Sequence, residues 1–447
     1  MKLNWFSPLP PARSEVARLT AALLPHLSQR AQVTVWSSQP EWDRDVERSA
    51  RVRHYDPVTP PWREISEADV TFYQMGNDPR YHEAIWQISR QHPGVVILHD
   101  LKLQHFFAGL VTETRALDWH QYLELVEQHH SAAGRELAES FVAGVVNVSE
   151  LAEHCPMTGA AIEGALAVVV HSVVARETIS NTSSIPILYL PLGAGTPPPV
   201  HGKHAKGEGT NSNPYRIIMF GFLGPNRQLP ALLRALARFP ERSRFRLDVY
   251  GTMEGAEKVE ELICRLNLSD AVALHGFVPE QELNHALGRA DLAVNMRYPS
   301  MGEASASQLQ LWQYAVPSLV TRTAWYATLP EETVAFVRPA HEVEDIQAHL
   351  AGFLEDPEKY RVLGRAGQEH VNEHCTSQSY VEGLMEIAHR APEFYARWTA
   401  GDLAHRAVAA MNDWGILGAP SLSEGVAAEI QALVRKLPPP ERVASLR

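Results

Sequence analysis

Short apolar runs alternate with helical patterns along most of the 447-residue chain. In the first half, such runs predict strands at residues 3–6, 32–36, 52–55, 70–73, 95–98, 167–170 and 187–190. Between the first two runs, Val16, Leu19, Leu23 and Leu27 recur at helical spacing and predict a helix over residues 14–27. Strands that alternate with helices form βαβ units, whose right-handed crossovers build a parallel sheet.

The same pattern begins again after a segment rich in Gly, Pro, Ser and Asn at residues 195–214, which has no periodicity and is typical of a linker. Beyond it, strands are predicted at residues 216–220, 245–250, 271–274, 292–295, 318–321 and 335–337. The chain is therefore predicted to be an α/β protein, in which two Rossmann-like parallel-sheet domains face each other across a cleft.

The pattern also sets the expected domain boundaries. We predict an N-terminal Rossmann-like domain over residues 1–200, with a helical insertion at 103–165. A linker at 201–214 leads to a second Rossmann-like domain at 215–378. The remaining residues, 379–447, are helical in character, and we expect them to pack back on the first domain.

Composition narrows the range of partners. The net charge of −12 disfavours a nucleic-acid or anionic-membrane partner, because phosphate groups would be repelled. The three cysteines are far apart and form no zinc or disulfide pattern. No apolar run approaches the roughly 20 residues of a transmembrane helix, and the N-terminus lacks the apolar region of a signal peptide. We expect a cytoplasmic protein.

Candidate chemistry lies directly after the predicted strands, because parallel sheets bind ligands at the carboxyl ends of their strands. Gly302 permits close backbone approach, and the small residues Ala304, Ser305 and Ala306 leave N–H groups free at a helix start for a phosphate or a sugar hydroxyl. Glu303 is suited to accept hydrogen bonds from sugar hydroxyls. The alternative is an ordinary helix cap with a solvated Glu303.

Two arginines are candidates for binding a diphosphate. Arg227 ends a glycine-bearing turn after the strand at 216–220, with Asn226 beside it, and Arg297 follows the strand at 292–295. The alternatives are a surface position for Arg227 and an ion pair between Arg297 and Glu303.

One histidine stands out in the first half. His99 ends the strand at 95–98, where it can position a hydroxyl or interact with a developing charge, or act only as a strand cap. No zinc or Ser-His-Asp spacing is recognisable, so no metal site is predicted.

In order and spacing, these segments resemble the retaining glycosyltransferases of the GT-B fold, group 1 or family 4 type, over residues 1–390. The segments that carry the resemblance are FSPLPPARSEVA, VVILHD, AVVVHSVVARETI, PILYLPLGA, IIMFGFLGPNRQLPALLRAL, LDVYG, LHGFVPEQELNHALGRADLAVN and YPSMGEASASQLQLWQYAVPSLVT. The resemblance implies transfer of a sugar, of hexosyl type, from a nucleotide-diphosphate donor to a glycan, lipid-linked or protein acceptor. It also implies that neither a metal ion nor another cofactor is needed.

The resemblance assigns roles to residues of this sequence. His99 matches the strand-end histidine beside the donor sugar, and Glu303 matches the first glutamate of the E-x7-E motif, which holds sugar hydroxyls. Arg227 matches the basic residue that neutralises the diphosphate, and the amides at 304–306 lie where the donor is held. The nucleobase contacts fall on Phe277 and Val278.

The sequence departs from the family pattern at a few positions. Leu311 stands where the second glutamate is usual, so that Gln310 is the candidate to occupy that place. Phe222 replaces an arginine after the glycine of the phosphate-binding turn, and Arg297 is the candidate to compensate. In the first domain, Glu15 replaces a small glycine next to the donor-binding candidate Ser14, where it would crowd or repel a phosphate.

These departures keep two other functions open. One is a nucleotide-sugar 2-epimerase, which would interconvert a donor with no acceptor present. The other is a catalytically inactive binding partner of another transferase.

Overall fold

The structure is a computed structural model. It describes residues 1–195, 207–210, 212–415, 424–426, 428–429 and 432. The chain divides into two compact units. The first unit is Met1–Pro191 together with the described part of Tyr380–Arg447, and the second unit is Leu192–Ser379.

A seven-stranded parallel sheet forms the centre of the first unit, in the order β3-β2-β1-β4-β5-β6-β7. Its strands are β1 (Lys2–Phe6), β2 (Gln32–Ser37), β3 (Arg51–His54), β4 (Val70–Met75), β5 (Val95–Leu98), β6 (Ala167–Val170) and β7 (Ile187–Tyr189). The helices that connect them are α1 (Glu15–Leu27), α2 (Trp62–Ile65), α3 (Pro79–Ser89) and, after β6, α8 (Val173–Ser180). The central strands β4, β5 and β6 are buried throughout, as expected for a parallel sheet covered on both faces.

Between β5 and β6 the chain forms four further helices. They are α4 (Gln104–Thr112), α5 (Trp119–Val142), α6 (Val148–His154) and α7 (Thr158–Ile162). Asp118 begins α5 with a reciprocal capping box to Gln121. Phe106, Tyr122 and Leu151 from these helices belong to the same core cluster as Tyr73 and Val96 on one face of the sheet.

Two C-terminal helices cover the opposite face of the first sheet. They are α15 (Ser377–His389) and α16 (Ala391–Asp413). Tyr380, Leu384 and Phe394 share a core cluster with Trp5 and Phe72 of the sheet. The C-terminal segment is thus part of the core of the first unit.

A six-stranded parallel sheet forms the second unit, in the order β10-β9-β8-β11-β12-β13. Its strands are β8 (Tyr215–Phe220), β9 (Phe245–Tyr250), β10 (Val272–Gly276), β11 (Leu292–Val294), β12 (Ser318–Thr321) and β13 (Ala335–Val337). Its helices are α9 (Leu229–Arg238), α10 (Ala256–Arg265), α11 (Glu280–Arg289), α12 (Ala306–Gln313), α13 (Glu342–Glu355) and α14 (Pro357–His374). Core clusters pack on both faces of this sheet.

Both sheets confirm the predicted α/β class with two Rossmann-like parallel-sheet halves. Residues 201–206 and 211 of the predicted linker lie outside the described residues. Its described part is held to the second sheet, because the Asp291 carboxylate accepts hydrogen bonds from the N–H groups of Gly207 (3.0 Å) and Arg216 (2.9 Å).

Candidate functional site

Each sheet reverses its strand order once, between β1 and β4 in the first unit and between β8 and β11 in the second. At such a switch point the loops after the two central strands diverge and leave a crevice at the carboxyl ends. The turns after β8 and β11 hold Arg227, Arg297 and Glu303. The sequence candidates of the second unit therefore lie where ligands of this fold bind.

The turns after β8 and β9 lie directly against each other. The N–H of Gly221 donates to the Tyr250 carbonyl (3.0 Å), and the N–H of Leu223 donates to the Thr252 carbonyl (2.9 Å). A Cβ atom added at Gly251 would lie 2.0 Å from the Gly221 carbonyl oxygen, and Gly251 also has a φ of +119°. Only glycine fits there, so the backbone of this edge is tightly fixed.

Arg227 lies beneath this edge and is only 1% exposed. A single turn of 3-10 helix, Pro225–Arg227, turns its side chain back under the sheet. There its guanidinium donates to the Asn295 side-chain oxygen (2.8 Å) and to the Phe220 carbonyl (2.6 Å). The alternative of a surface position for Arg227 is thus not what the structure shows.

The charge of Arg227 is not balanced by a bonded carboxylate. Both acceptors of its guanidinium are neutral, and its Nε has no hydrogen-bond partner among the described residues. Burial and repulsion from Arg297 lower the pKa of Arg227 to about 9. An anion bound nearby would stabilise the charged form.

Asn295 connects Arg227 to the start of α12. Its side-chain amide donates to the hydroxyl of Ser305 (3.3 Å) and to the side-chain oxygen of Gln308 (3.0 Å). Gln308 donates in turn to the Ser318 hydroxyl (2.7 Å). Asn295, Ser305, Gln308 and Ser318 are each 3% exposed or less, so this network is buried. Neither Asn295 nor Gln308 was identified from the sequence, although Asn295 ends a predicted strand.

Glu303 and Arg297 form an ion pair, with 3.0 Å between Oε1 and Nε. Their side chains are only 14% and 19% exposed, so the pair is partly withdrawn from solvent. The other carboxylate oxygen of Glu303 accepts a hydrogen bond from the Ser300 hydroxyl (3.0 Å), which itself accepts from the N–H of Gly302 (3.0 Å). The ion pair that the sequence left open as an alternative is present, and it fixes the orientation of Glu303.

Ser305 is the N-cap of α12, and its hydroxyl accepts a hydrogen bond from the N–H of Gln308 (3.1 Å). The N–H groups of Ala306 and Ser307 in the first turn have no acceptor within the described residues. Ala304 lies in the turn before them and is half-buried. Free N–H groups and the positive end of the helix dipole suit an oxygen-rich anion.

The remaining candidates of the second unit lie around this centre. Gln310 is buried and donates to the Asn284 side chain on α11 (3.2 Å), whereas Leu311 packs in the core. Phe277 is 57% exposed at the end of β10, and Val278 next to it is half-buried. Asn226 is half-buried and accepts a hydrogen bond from the N–H of Tyr298 through its carbonyl (2.8 Å). Phe222 is exposed on the turn after β8.

In the first unit, His99 follows β5 and lies next to two other imidazoles. Its Nε2 is 2.6 Å from the side-chain oxygen of Gln74 at the end of β4. Its ring centroid is 5.3 Å from that of His171, which follows β6. Burial, with the neighbouring His171 and His82, lowers the pKa of His99 well below its ordinary value. His99 is therefore neutral at physiological pH, as a hydrogen-bond acceptor or base must be.

His171 and His82 were not identified from the sequence. The Nδ1 atom of His171 is hydrogen-bonded to the Leu190 carbonyl (2.9 Å), and the Nδ1 atom of His82 is hydrogen-bonded to the Gln74 carbonyl (3.0 Å). Burial lowers the pKa of each to about 4. His171 follows its strand just as His99 does, so the rule that selected His99 would also have selected His171.

These two histidines should make the fold sensitive to acid. Between about pH 6.5 and 4 the unfolded chain binds protons on both residues and the folded chain does not, so the free energy of unfolding falls as the pH falls. Each contributes up to about 3 kcal/mol over this window. We expect His171→Gln to weaken the dependence of the free energy of unfolding on pH, as measured by urea unfolding at several pH values. The control His54→Gln, on an exposed residue, should leave that dependence unchanged.

Ser14 and Glu15 lie at the start of α1. Ser14 is the N-cap residue, but its hydroxyl makes no capping hydrogen bond. Glu15 is exposed and forms an ion pair with Arg18 (2.9 Å). This pairing partly offsets the negative charge that was expected to repel a phosphate.

Among the described residues, no group of three or more His, Cys, Asp or Glu side chains is arranged to hold a metal ion. Within the same part of the chain, no helix has the length and apolar character required to cross a membrane.

Comparison with known proteins agrees with this architecture. Residues 201–370 match the family model of the group 1 glycosyl transferases, whereas no curated protein matches the sequence significantly. A glycosyltransferase from Rickettsia africae superposes with a TM-score of 0.59 at 11% identity, covering 87% of this chain and 98% of that one.

Two further solved structures show the same fold. Sucrose-phosphate synthase from Thermosynechococcus elongatus gives a TM-score of 0.58 at 15% identity, over 87% of this chain and 98% of that one. Anabaena HepE in complex with UDP-glucose gives a TM-score of 0.58 at 13% identity, covering 87% of this chain and 99% of that one. The chain therefore has the GT-B fold, with two Rossmann-like units, and its residues 201–370 match the domain of the group 1 glycosyl transferases.

Proposed function

We propose that the protein transfers a hexosyl group from a nucleoside-diphosphate sugar to an acceptor hydroxyl, with retention of anomeric configuration and without a metal ion. The observation that carries this proposal is the buried Arg227, whose hydrogen-bond acceptors are neutral and which is linked through Asn295 to the N-cap of α12. A buried cation without a bonded anion is costly unless a ligand supplies the negative charge. A diphosphate supplies it.

The leaving diphosphate is assigned to the second unit. Arg227 provides positive charge from below, Arg297 provides a second cation, and the N–H groups at residues 304–306 provide hydrogen-bond donors. Such preorganised groups stabilise charge that develops on a leaving group, and this is the role that a metal ion plays in other enzymes.

Glu303 is assigned to the sugar. Its two contacts, to Arg297 and Ser300, leave lone pairs on the carboxylate that can accept hydrogen bonds from sugar hydroxyls. The same negative charge favours an oxocarbenium-like sugar in the transition state. Phe277, Val278 and Gln310 are assigned to the nucleoside, and Asn226, Gly302 and Ser14 to the surroundings of the donor.

His99 is assigned to hydroxyl recognition. It is neutral, and its Nδ1 has no hydrogen-bond partner among the described residues. It is therefore suited to accept a hydrogen bond from a hydroxyl of the donor sugar or of the acceptor. Retention of configuration rests on the resemblance to the retaining glycosyltransferases.

We propose that the acceptor is a glycan, a lipid-linked sugar or a protein. We assign it to the first unit, at the loop before α3 and the helices α4–α7. The three described cysteines are free, which suits a cytoplasmic enzyme.

The test is a transfer assay with a panel of nucleoside-diphosphate hexoses. UDP-glucose is the first donor to use, because the Anabaena protein HepE was solved with UDP-glucose. We expect acceptor-dependent release of nucleoside diphosphate, a product with the donor's anomeric configuration by NMR, and little change of rate with EDTA. Strict dependence on a divalent cation would contradict the metal-free mechanism.

A further inference from the structure

Gln74 is a buried polar residue that the proposed roles do not include. It lies in the fully buried strand β4 and is 1% exposed. Its backbone carbonyl is bonded to His82, and its side-chain oxygen lies 2.6 Å from Nε2 of His99. A polar side chain in this position needs a reason, because an apolar residue would fill the strand without desolvating an amide.

The chemistry of the two groups determines where the proton lies. A side-chain amide oxygen can only accept, so the 2.6 Å contact requires a proton on Nε2 of His99. A neutral imidazole carries one proton, and the other nitrogen, Nδ1, then has a free lone pair. That nitrogen has no hydrogen-bond partner among the described residues.

The strand register makes this contact rigid. Met75 pairs with Leu98, and the N–H of His99 donates to the Met75 carbonyl (2.8 Å). Gln74 pairs with Ile97, and His99 lies two residues beyond Ile97, at a position whose side chain is on the same face of the sheet. His171 follows the next strand, β6, so that His99 lies between Gln74 and His171 in the strand order.

Both neighbours of His99 in the strand order also carry a polar atom that is unpaired in the described part of the chain. The amide nitrogen of Gln74 and the Nε2 of His171 are buried and have no hydrogen-bond partner within the described residues. The first can only donate, and the second, with its Nδ1 proton directed at the Leu190 carbonyl, can only accept. Hydroxyl groups, which both donate and accept, would satisfy such atoms.

We infer that Gln74 is a positioning residue, which holds His99 as the Nε2–H tautomer and so directs the lone pair of Nδ1 at a substrate hydroxyl. This inference rests on the proposed function, since that function supplies the hydroxyl. Gln74 acts through His99 and is not itself assigned to the reacting atoms.

Two variants of Gln74 separate positioning from simple packing. Gln74→Met keeps the length of the side chain but removes the acceptor, and we expect kcat to fall by about 10- to 100-fold with little change in the KM for the donor. Gln74→Glu keeps an acceptor for Nε2–H and should retain the tautomer. Its carboxylate favours the imidazolium, so the acid limb of kcat should move to higher pH by about 1 to 3 units.

Two other titratable groups near His99 bear on the pH dependence of kcat. The groups that act on its protonation are the imidazoles of His171, after β6, and His82, on α3. Neither changes in these variants. Gln87→Met, which removes a half-buried amide on α3, is the matched control and should leave kcat and the pH profile as in the wild type.

The tautomer is measured independently of transfer, by 15N spectra of full-length protein labelled at the histidine ring nitrogens, with His99→Asn to assign the signal. We expect a proton on Nε2 of His99 in the wild type and in Gln74→Glu, and a mixture of tautomers in Gln74→Met. A proton on Nδ1 in the wild type, or an unchanged kcat and spectrum in Gln74→Met, would overturn the inference. Expected spectra in a protein without transfer activity would instead overturn the proposed function.

Discussion

Glu303→Ala should lower kcat/KM for sugar transfer by about 10²- to 10³-fold, because the variant loses the preorganised charge that we propose acts on the donor sugar. The carboxylate is fixed from two sides, by Arg297 and by the Ser300 hydroxyl. Its loss also leaves Arg297 without its carboxylate partner. The measurement is the initial rate of transfer under conditions in which donor and acceptor are varied separately.

A second substitution separates charge from shape in this effect. Glu303→Gln has nearly the same shape and can still accept from Ser300, so a loss similar to that of Glu303→Ala assigns the effect to the negative charge. Glu331→Ala is the matched control, since Glu331 forms an ion pair with Arg322 but is 75% exposed. Full activity of Glu303→Ala would remove Glu303 from the site.

His99→Ala should lower kcat by about 10²- to 10⁴-fold, the range observed for groups that exchange a proton or a hydrogen bond with the reacting atoms. The substitution removes the acceptor at Nδ1 and leaves the Gln74 side chain without its partner. Steady-state kinetics at several pH values is the measurement. Because the pKa of His99 is already low, the wild-type rate should not fall until the pH is well below 6.5.

The control for this variant is another half-buried histidine of the same unit. His92 stacks on Trp62, with 6.1 Å between the ring centroids, and burial lowers its pKa as well. His92→Ala should therefore cost stability without the loss of kcat. If both variants lost activity in parallel with their melting temperatures, the role of His99 would be structural only.

The fold could be predicted because parallel strands buried on both faces are apolar runs, and these runs are visible in the sequence. The strand at residues 95–98, for example, was predicted with the bounds that the structure has. The strands at 167–170, 245–250, 318–321 and 335–337 also have the predicted bounds, whereas the remaining strands differ by one or two residues at an end, as at β4, which extends to Met75. Hydrogen-bond ladders continue past the apolar run, and the sequence pattern does not record this.

The site was harder to predict, because it depends on contacts between residues far apart in the chain. The sequence named Arg227 and Glu303, but not the network in which Asn295 joins Arg227 to the start of α12. Asn295 is hydrogen-bonded to Arg227, 68 residues earlier in the chain, and to Ser305 and Gln308 at the start of α12, and no local pattern shows these contacts. Gln74 was missed for a related reason, since it lies just beyond the strand predicted at 70–73 and its contact is with His99, 25 residues further along the chain.

The departures from the family pattern now have physical positions. Leu311 is a core residue, so the second glutamate of the usual motif has no counterpart at that place, and Gln310 is bonded to Asn284 on α11. Glu15 is paired with Arg18. The proposal that the protein is active therefore depends on Glu303, Arg227 and His99 rather than on a complete motif.

The release of nucleoside diphosphate by the wild-type protein, with and without acceptor, is the most direct measurement of the central claim. We predict release only when a donor of the right nucleotide and sugar and an acceptor are both present, in an amount equal to the glycoside formed. Conversion of the donor to its 2-epimer without acceptor would assign the protein to the epimerases. Donor binding with no turnover across the whole panel would show an inactive partner and contradict the account.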